Sequence, residues 1–240
     1  FVRKMQVQHP GPANRPVPIA PRGQMMCGLF GEFGPDSITR QGALAAIAQT
    51  IAHRGPDDEG FATGTGWMLG FRRLAILDLS PDGHQPMASP DGRHLMVFNG
   101  EVYNYRELRD DLLAAGETFR SGTDTEVLLR LIQRRGVAAA LAQANGMFAF
   151  ACIDLVARRF VLARDRLGVK PLYLHATPRG LRFASELKAL LAWPDAPRTL
   201  DRAALGDYLA TGYVAGNGCI LHGYAKLLPG HFAEGSLDAP

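Results

Sequence analysis

The chain has 240 residues, 47% hydrophobic and 20% charged, with three cysteines and a formal net charge of +3. This is the composition of one generous or two small globular domains with ample material for a core, and no apolar run approaches the roughly 18 residues of a membrane span. Three widely spaced cysteines and no CxxC pair argue against a disulfide scaffold and a zinc site, and for a reducing, cytoplasmic compartment.

The positive charge belongs to the first segment. Residues 1–25 hold Arg3, Lys4, Arg15 and Arg22 and no acid; setting those four aside lowers the 26 basic residues to 22, against 23 acidic. No basic patch remains to suggest nucleic acid. The same segment carries Pro10, Pro12, Pro16, Pro18 and Pro21, a density that no helix tolerates. It lacks both the apolar core of a secretory signal and the amphipathic face of a transit peptide. Residues 1–26 are therefore expected to be a leader, either extended or disordered or lying upstream of the true start, with Met26 the initiator whose removal exposes Cys27.

"CGLFGEF" (27–33) predicts a short strand. Residues 37–55 predict a helix, with Ser37 as cap, Ile38, Leu44, Ile47 and Ile51 on one face and Gly55 as stop. "HRGPDDEG" (53–60) reads as the end of that helix and a tight turn, with no catalysis claimed. "WMLGFRRLAILDL" (67–79) is β-rich and predicts two strands, and "HLMVFNG" (94–100) one more. A helix over 104–116 is capped by Asn104, faces inward with Leu108, Leu112 and Leu113, and ends at Gly116. The next, over 123–136, has Thr123 and Glu126 at capping-box spacing. Between 146 and 185 come four short strands separated by turns. "MFAFACI" is apolar on both faces and belongs in the middle of a covered sheet. A last helix over 201–212 leads into loop-like sequence. Helices between groups of strands favour a layered α+β fold over a doubly wound one.

Several residues have both a structural and a chemical reading. Cys27 is either an ordinary thiol at a strand head or, if Met26 is trimmed, the first residue of the mature chain. A terminal cysteine has its own α-amine as base, with an unperturbed pKa of about 7.7–8.0. Asn99-Gly100 is a hairpin signal, but also an amide and a backbone N–H that could serve an oxyanion. The hairpin reading is weakened because only Glu101, Val102 and Tyr103 separate it from a helix cap. Arg72 and Arg73 either solubilise an edge strand or grip a carboxylate; pattern alone favours the edge. Asp124 is either a helix-start acid or a counter-ion for an ammonium, and sequence does not decide.

The motifs "MCGLFG", "HRGPD", "RRLAILD", "GHQPM", "FNGEVYNY", "SGTDTEV", "GMFAFACID", "RDRLGVKPLY", "FASELKAL" and "GYVAGNGCILHGYAKLLPGH" occur in this order between residues 26 and 231. Together they resemble the class II glutamine amidotransferase domain of glutamine-hydrolysing asparagine synthetases. The resemblance implies an N-terminal-nucleophile hydrolase fold: a four-layer αββα sandwich with two stacked antiparallel sheets, here over residues 27–215. It implies Cys27 as nucleophile, and Asn99 and Gly100 as the oxyanion hole. Arg73, with backbone groups around Leu74 and Ile76, would take the glutamine α-carboxylate; Glu101 and Asp124 would take its α-amino group. No cofactor or metal is implied for this chain. The family's ATP- and Mg-dependent synthetase domain carries a Ser-Gly-Gly-x-Asp-Ser loop; no such motif occurs here, and 216–240 would be the linker towards that partner domain. Another amide acceptor (a sugar or a peptide), a homodimer, and an inert glutamine-binding domain with the leader retained all stay open.

Overall fold

The computed structural model describes residues 26–35, 37 and 42–240. The expected leader up to residue 25, and the place given to Ile38, lie outside the described residues.

The first sheet contains β1 (Gly28–Phe33), β2 (Asp58–Gly64), β3 (Trp67–Arg73), β8 (Tyr173–Thr177), β9 (Gly180–Ala184) and β10 (Ala225–Lys226). The second contains β4 (Met87–Ala88), β5 (His94–Val102), β6 (Gly146–Asp154), β7 (Arg159–Arg164) and β11 (Phe232–Ser236). Their orders are β10-β8-β9-β1-β3-β2 and β11-β7-β6-β5-β4, with every pair antiparallel.

Side-chain alternation builds the layers. In β6, Ala149, Ala151 and Ile153 point between the sheets, where they meet Leu29, Phe33, Leu69 and Phe71 of the first sheet. Phe33 stacks there on Phe160 at 4.1 Å and on Phe183 at 5.0 Å. Phe148, Phe150 and Cys152 point the other way, against α2 (Tyr105–Ala114), α3 (Asp124–Arg135) and α4 (Val137–Gln143). The outer face of the first sheet packs Phe30, Met68 and Ala184 on α1 (Leu44–Thr50), α5 (Leu187–Leu190) and Trp193. The result is the expected α+β sandwich of four layers, with β6 in the middle of its sheet. Each fully buried large apolar side chain contributes about 1.5–3 kcal/mol to holding the layers together.

Several elements depart from expectation. Residues 67–79 form one strand rather than two: after Arg73 the chain leaves the ladder, Ala75 N donates to Asp57 Oδ2 at 2.9 Å, and Ile76 and Leu79 are exposed. The turn expected over 53–60 gives way at Asp58 to β2, which lacks an alternating apolar pattern and is held by pairing with β3. Asn99-Gly100 makes no hairpin, because β5 runs on to Val102 against β6. Asn104 stands at the N-cap of α2 without capping it; its amide donates to Gln143 O and accepts from Asn145 N instead, and Leu113 is exposed. Thr123 does cap α3, accepting Glu126 N at 3.2 Å. The Glu126 carboxylate turns away to Arg120 N and Ser121 N, so the box is half made. The ala-rich α4 was not anticipated, and the loop-like end contributes β10 and β11, one strand to each sheet.

Candidate active site

All eight residues singled out from the sequence (Cys27, Arg73, Leu74, Ile76, Asn99, Gly100, Glu101 and Asp124) line one cleft of about 260 Å³. They reach it from four places: the head of β1, the end of β3 and the loop that follows it, the end of β5 and the start of α3.

Cys27 precedes β1, and its Sγ accepts the Leu74 N–H at 3.3 Å. Its carbonyl accepts Arg54 Nε at 2.9 Å. Burial pushes the thiol up; the Leu74 N–H and the charges of Arg73, Lys170 and Arg54 pull it back part of the way. Arg54 is itself buried and anchored through Nη1 to Glu186 Oε1 at 2.9 Å. Burial alone would raise Glu186, but hydrogen bonds from Lys188 and Arg54 outweigh it and hold the carboxyl below its ordinary range.

The two arginines part company. β3 lies between β1 and β2, so neither arginine is on an edge, and both are buried. Arg72 donates to Gly55 O at 3.0 Å and pairs with Glu59. Arg73 turns into the cleft, where Nη1 donates to Ser80 O at 3.1 Å and Nη2 to Asp78 O. It lies against Gly83 so closely that a Cβ there would sit 2.0 Å from Nη2.

Asn99 is 1% exposed, and its side-chain nitrogen is buried without a hydrogen-bond partner among the described residues. A buried amide donor left unmade costs about 1–3 kcal/mol, so such a donor in the cleft that holds the Cys27 thiol is a chemical signal. Asp124 opens α3, and its Oδ2 accepts Val102 N at 2.8 Å. Burial pushes this carboxyl up to about 6; the Val102 and Thr125 N–H groups oppose the rise and the Glu101 charge adds to it.

Sequence reasoning passed over Arg54, Asp57, Gln85 and Lys170. Gln85 Oε1 accepts Phe98 N at 2.6 Å, steadying β5 just before Asn99. Lys170 is carried by a loop wound around Asp165, whose Oδ2 accepts Lys170 N at 2.9 Å and whose Oδ1 accepts Val169 N at 2.9 Å. Arg54, Asp57, Gln85 and Lys170 all lie inside motifs that carried the family resemblance, but composition and period gave them no distinct signal. Among the described residues, no group of three or more His, Cys, Asp or Glu could hold a metal, and no helix is long and apolar enough to cross a membrane.

The family model for the glutamine amidotransferase domain matches residues 26–239. Glutamine-hydrolyzing asparagine synthetase 2 of Bacillus subtilis (strain 168) is 36% identical over 197 residues, covering 80% of this chain and 26% of the relative. Asparagine synthetase B of Escherichia coli (strain K12) is 35% identical over 187 residues, covering 77% of this chain and 33% of the relative. The chain thus spans about a quarter to a third of the length of these curated relatives. Among solved structures, the glutamine phosphoribosylpyrophosphate amidotransferase of B. subtilis superposes with a TM-score of 0.60 at 18% identity, covering 88% of this chain and 49% of that one. It shares the fold. From Met26 to the strand that closes the second sheet, the chain belongs to the glutamine amidotransferase domain family, and within it resembles the domain of asparagine synthetases.

Proposed function

We propose that the domain hydrolyses glutamine to glutamate and ammonia through a γ-glutamyl thioester on Cys27. The thiol attacks the side-chain carboxamide, its proton passing to the α-amine of the same residue. Ammonia leaves, and water then releases glutamate. Asn99 Nδ2 and the Gly100 N–H receive the oxyanion, a donation worth about 2.7–4 kcal/mol in the transition state. Arg73 and the backbone near Leu74 and Ile76 hold the α-carboxylate; Glu101 and Asp124 hold the α-ammonium. The observation that carries this reading is the unpartnered Asn99 amide in the cleft that holds the Cys27 sulfur. The amine acts as a base only when free, so the reading requires a mature chain that begins at Cys27.

In the full-length protein the ammonia would pass to an ATP- and Mg-dependent synthetase domain that amidates aspartate. Similarity to asparagine synthetases supports that acceptor, and three free thiols support a cytoplasmic setting. The test is Cys27→Ala. Ammonia release should vanish while glutamine still binds by calorimetry; full activity in that variant would remove the thiol from the mechanism.

A further inference from the structure

Lys170 is 6% exposed and lines the same cleft as Cys27. Its polar contact among the described residues is the Met26 sulfur, 3.0 Å from Nζ. A thioether is a weak acceptor and a poor reason to bury an ammonium. The loop nevertheless takes care to bury it. Asp165 fixes its backbone nitrogen, and Arg164 Nε donates to its carbonyl at 2.8 Å, while Arg164 Nη1 and Nη2 reach Leu227 O and Gly168 O, both at 2.7 Å. The residue that covers the ammonium is also the one that must leave for Cys27 to become terminal. Met26, Cys27 and Lys170 line one cleft, so removal of Met26 would leave the ammonium in the cleft that holds the new amine and the thiol.

We infer that Lys170 is a positioning residue, whose buried positive charge favours the Cys27 thiolate over the thiol and, in the mature chain, the neutral Cys27 amine over the ammonium. The inference rests on the proposed role of Cys27. Both effects push the pair toward its reactive form, because a fixed cation lowers the proton affinity of every group near it. The groups that bear on Lys170 are Arg54, which opposes its charge, and Cys27, Asp165 and Glu101, which favour it. Those on the Cys27 sulfur are Arg73, Lys170 and Arg54. Arg73 and Arg54 are already engaged with carbonyl oxygens, Arg54 with Glu186 as well. Among the described residues the Lys170 ammonium donates to the Met26 sulfur and to no carbonyl or carboxylate oxygen, so its charge is free to bear on the Cys27 sulfur. Burial lowers its own proton affinity, and the Cys27 thiolate restores part of it.

The test follows alkylation of Cys27 by iodoacetamide in the full 240-residue chain across pH, read by peptide mass so that Cys152 and Cys219 are scored apart. In Lys170→Met, which keeps the length and loses the charge, the midpoint should rise by about one pH unit. Lys170→Arg should stay near the parent value. An unchanged midpoint in Lys170→Met, or an equal rise in Lys170→Arg, overturns the inference. A second measurement needs no variant: NMR of 13C-lysine-labelled parent chain before and after Cys27 is blocked. Coupling is mutual, so neutralising the sulfur should move the Lys170 titration to lower pH; an unmoved titration also overturns the inference. Neither readout uses glutamine turnover. A chain that begins at Cys27 and releases no ammonia, yet shifts its alkylation midpoint in Lys170→Met, refutes the proposed hydrolysis and keeps the effect of Lys170 on the thiol.

Discussion

At Asp124 two effects on one carboxyl compete. The start of a helix stabilises a negative charge by about 0.3–1 kcal/mol. Moving the carboxyl from 3.8 to about 6 corresponds to about 3 kcal/mol in the opposite sense, so burial wins. The folded carboxyl holds its proton more tightly than the unfolded one. Its cost to stability is therefore absent below the unfolded value, grows as pH rises, and is complete above about 6. Asp124→Asn should be up to about 3 kcal/mol more stable than the parent at pH 8, and no more stable near pH 4. Binding runs the other way. If Asp124 faces the glutamine ammonium, affinity should weaken as pH falls through about 6, by up to tenfold per unit, and the Asn variant should lose this dependence. Calorimetry between about pH 5 and 7.5 reads it. A binding curve that Asp124→Asn leaves unaltered would take Asp124 out of the substrate site.

Elements place the arginine that residue pattern alone had put on an edge strand. β3 ends at Arg73, the chain then turns through residues 74–80, and a 3-10 turn at Pro81–Gly83 packs on the guanidinium. In Gly83→Ala the new methyl would occupy the space of Nη2. That atom is the end of a flexible side chain, so the fold should survive and Arg73 should move. The KM for glutamine should rise about tenfold to a hundredfold, the worth of charge-assisted hydrogen bonds to a carboxylate, with kcat nearly unchanged. A normal KM would show that Arg73 does not grip the substrate. The same scale explains what was legible. β6 announced itself by the unbroken apolar run from Met147 to Ile153, and α3 by Thr123 and its apolar stripe. β2 had no such pattern, because its place comes from β3 rather than from its own side chains. Asn99-Gly100 looked like a turn because local chemistry favours one; nine consecutive pairs with β6 overrode it.

Over the whole molecule, a layered α+β fold was legible from the order of helices and strands and its four layers from the family resemblance, whereas the closing strands were not. β10 has two residues and β11 reads "FAEGS", and each is defined by a partner strand far back in the chain, β8 and β7. The site was legible only in part for the same reason. Cys27, Asn99 and Asp124 carry recognisable chemistry, but residue patterns left each with a structural alternative, and it was the ordered set of motifs that assigned roles. Lys170 and Arg54 were silent, since what distinguishes them is burial next to Cys27 from across the fold.

That fold brings thiol, cations and unpaired amide together around one residue, whose nitrogen must be free for the account to hold. Ammonia release from glutamine by two forms of the protein, one beginning at Cys27 and one with residues 1–26 attached, tests this most directly. The account predicts turnover in the first and a rate at least about a hundredfold lower in the second, the scale of a lost general base. Equal rates from the two forms would contradict it.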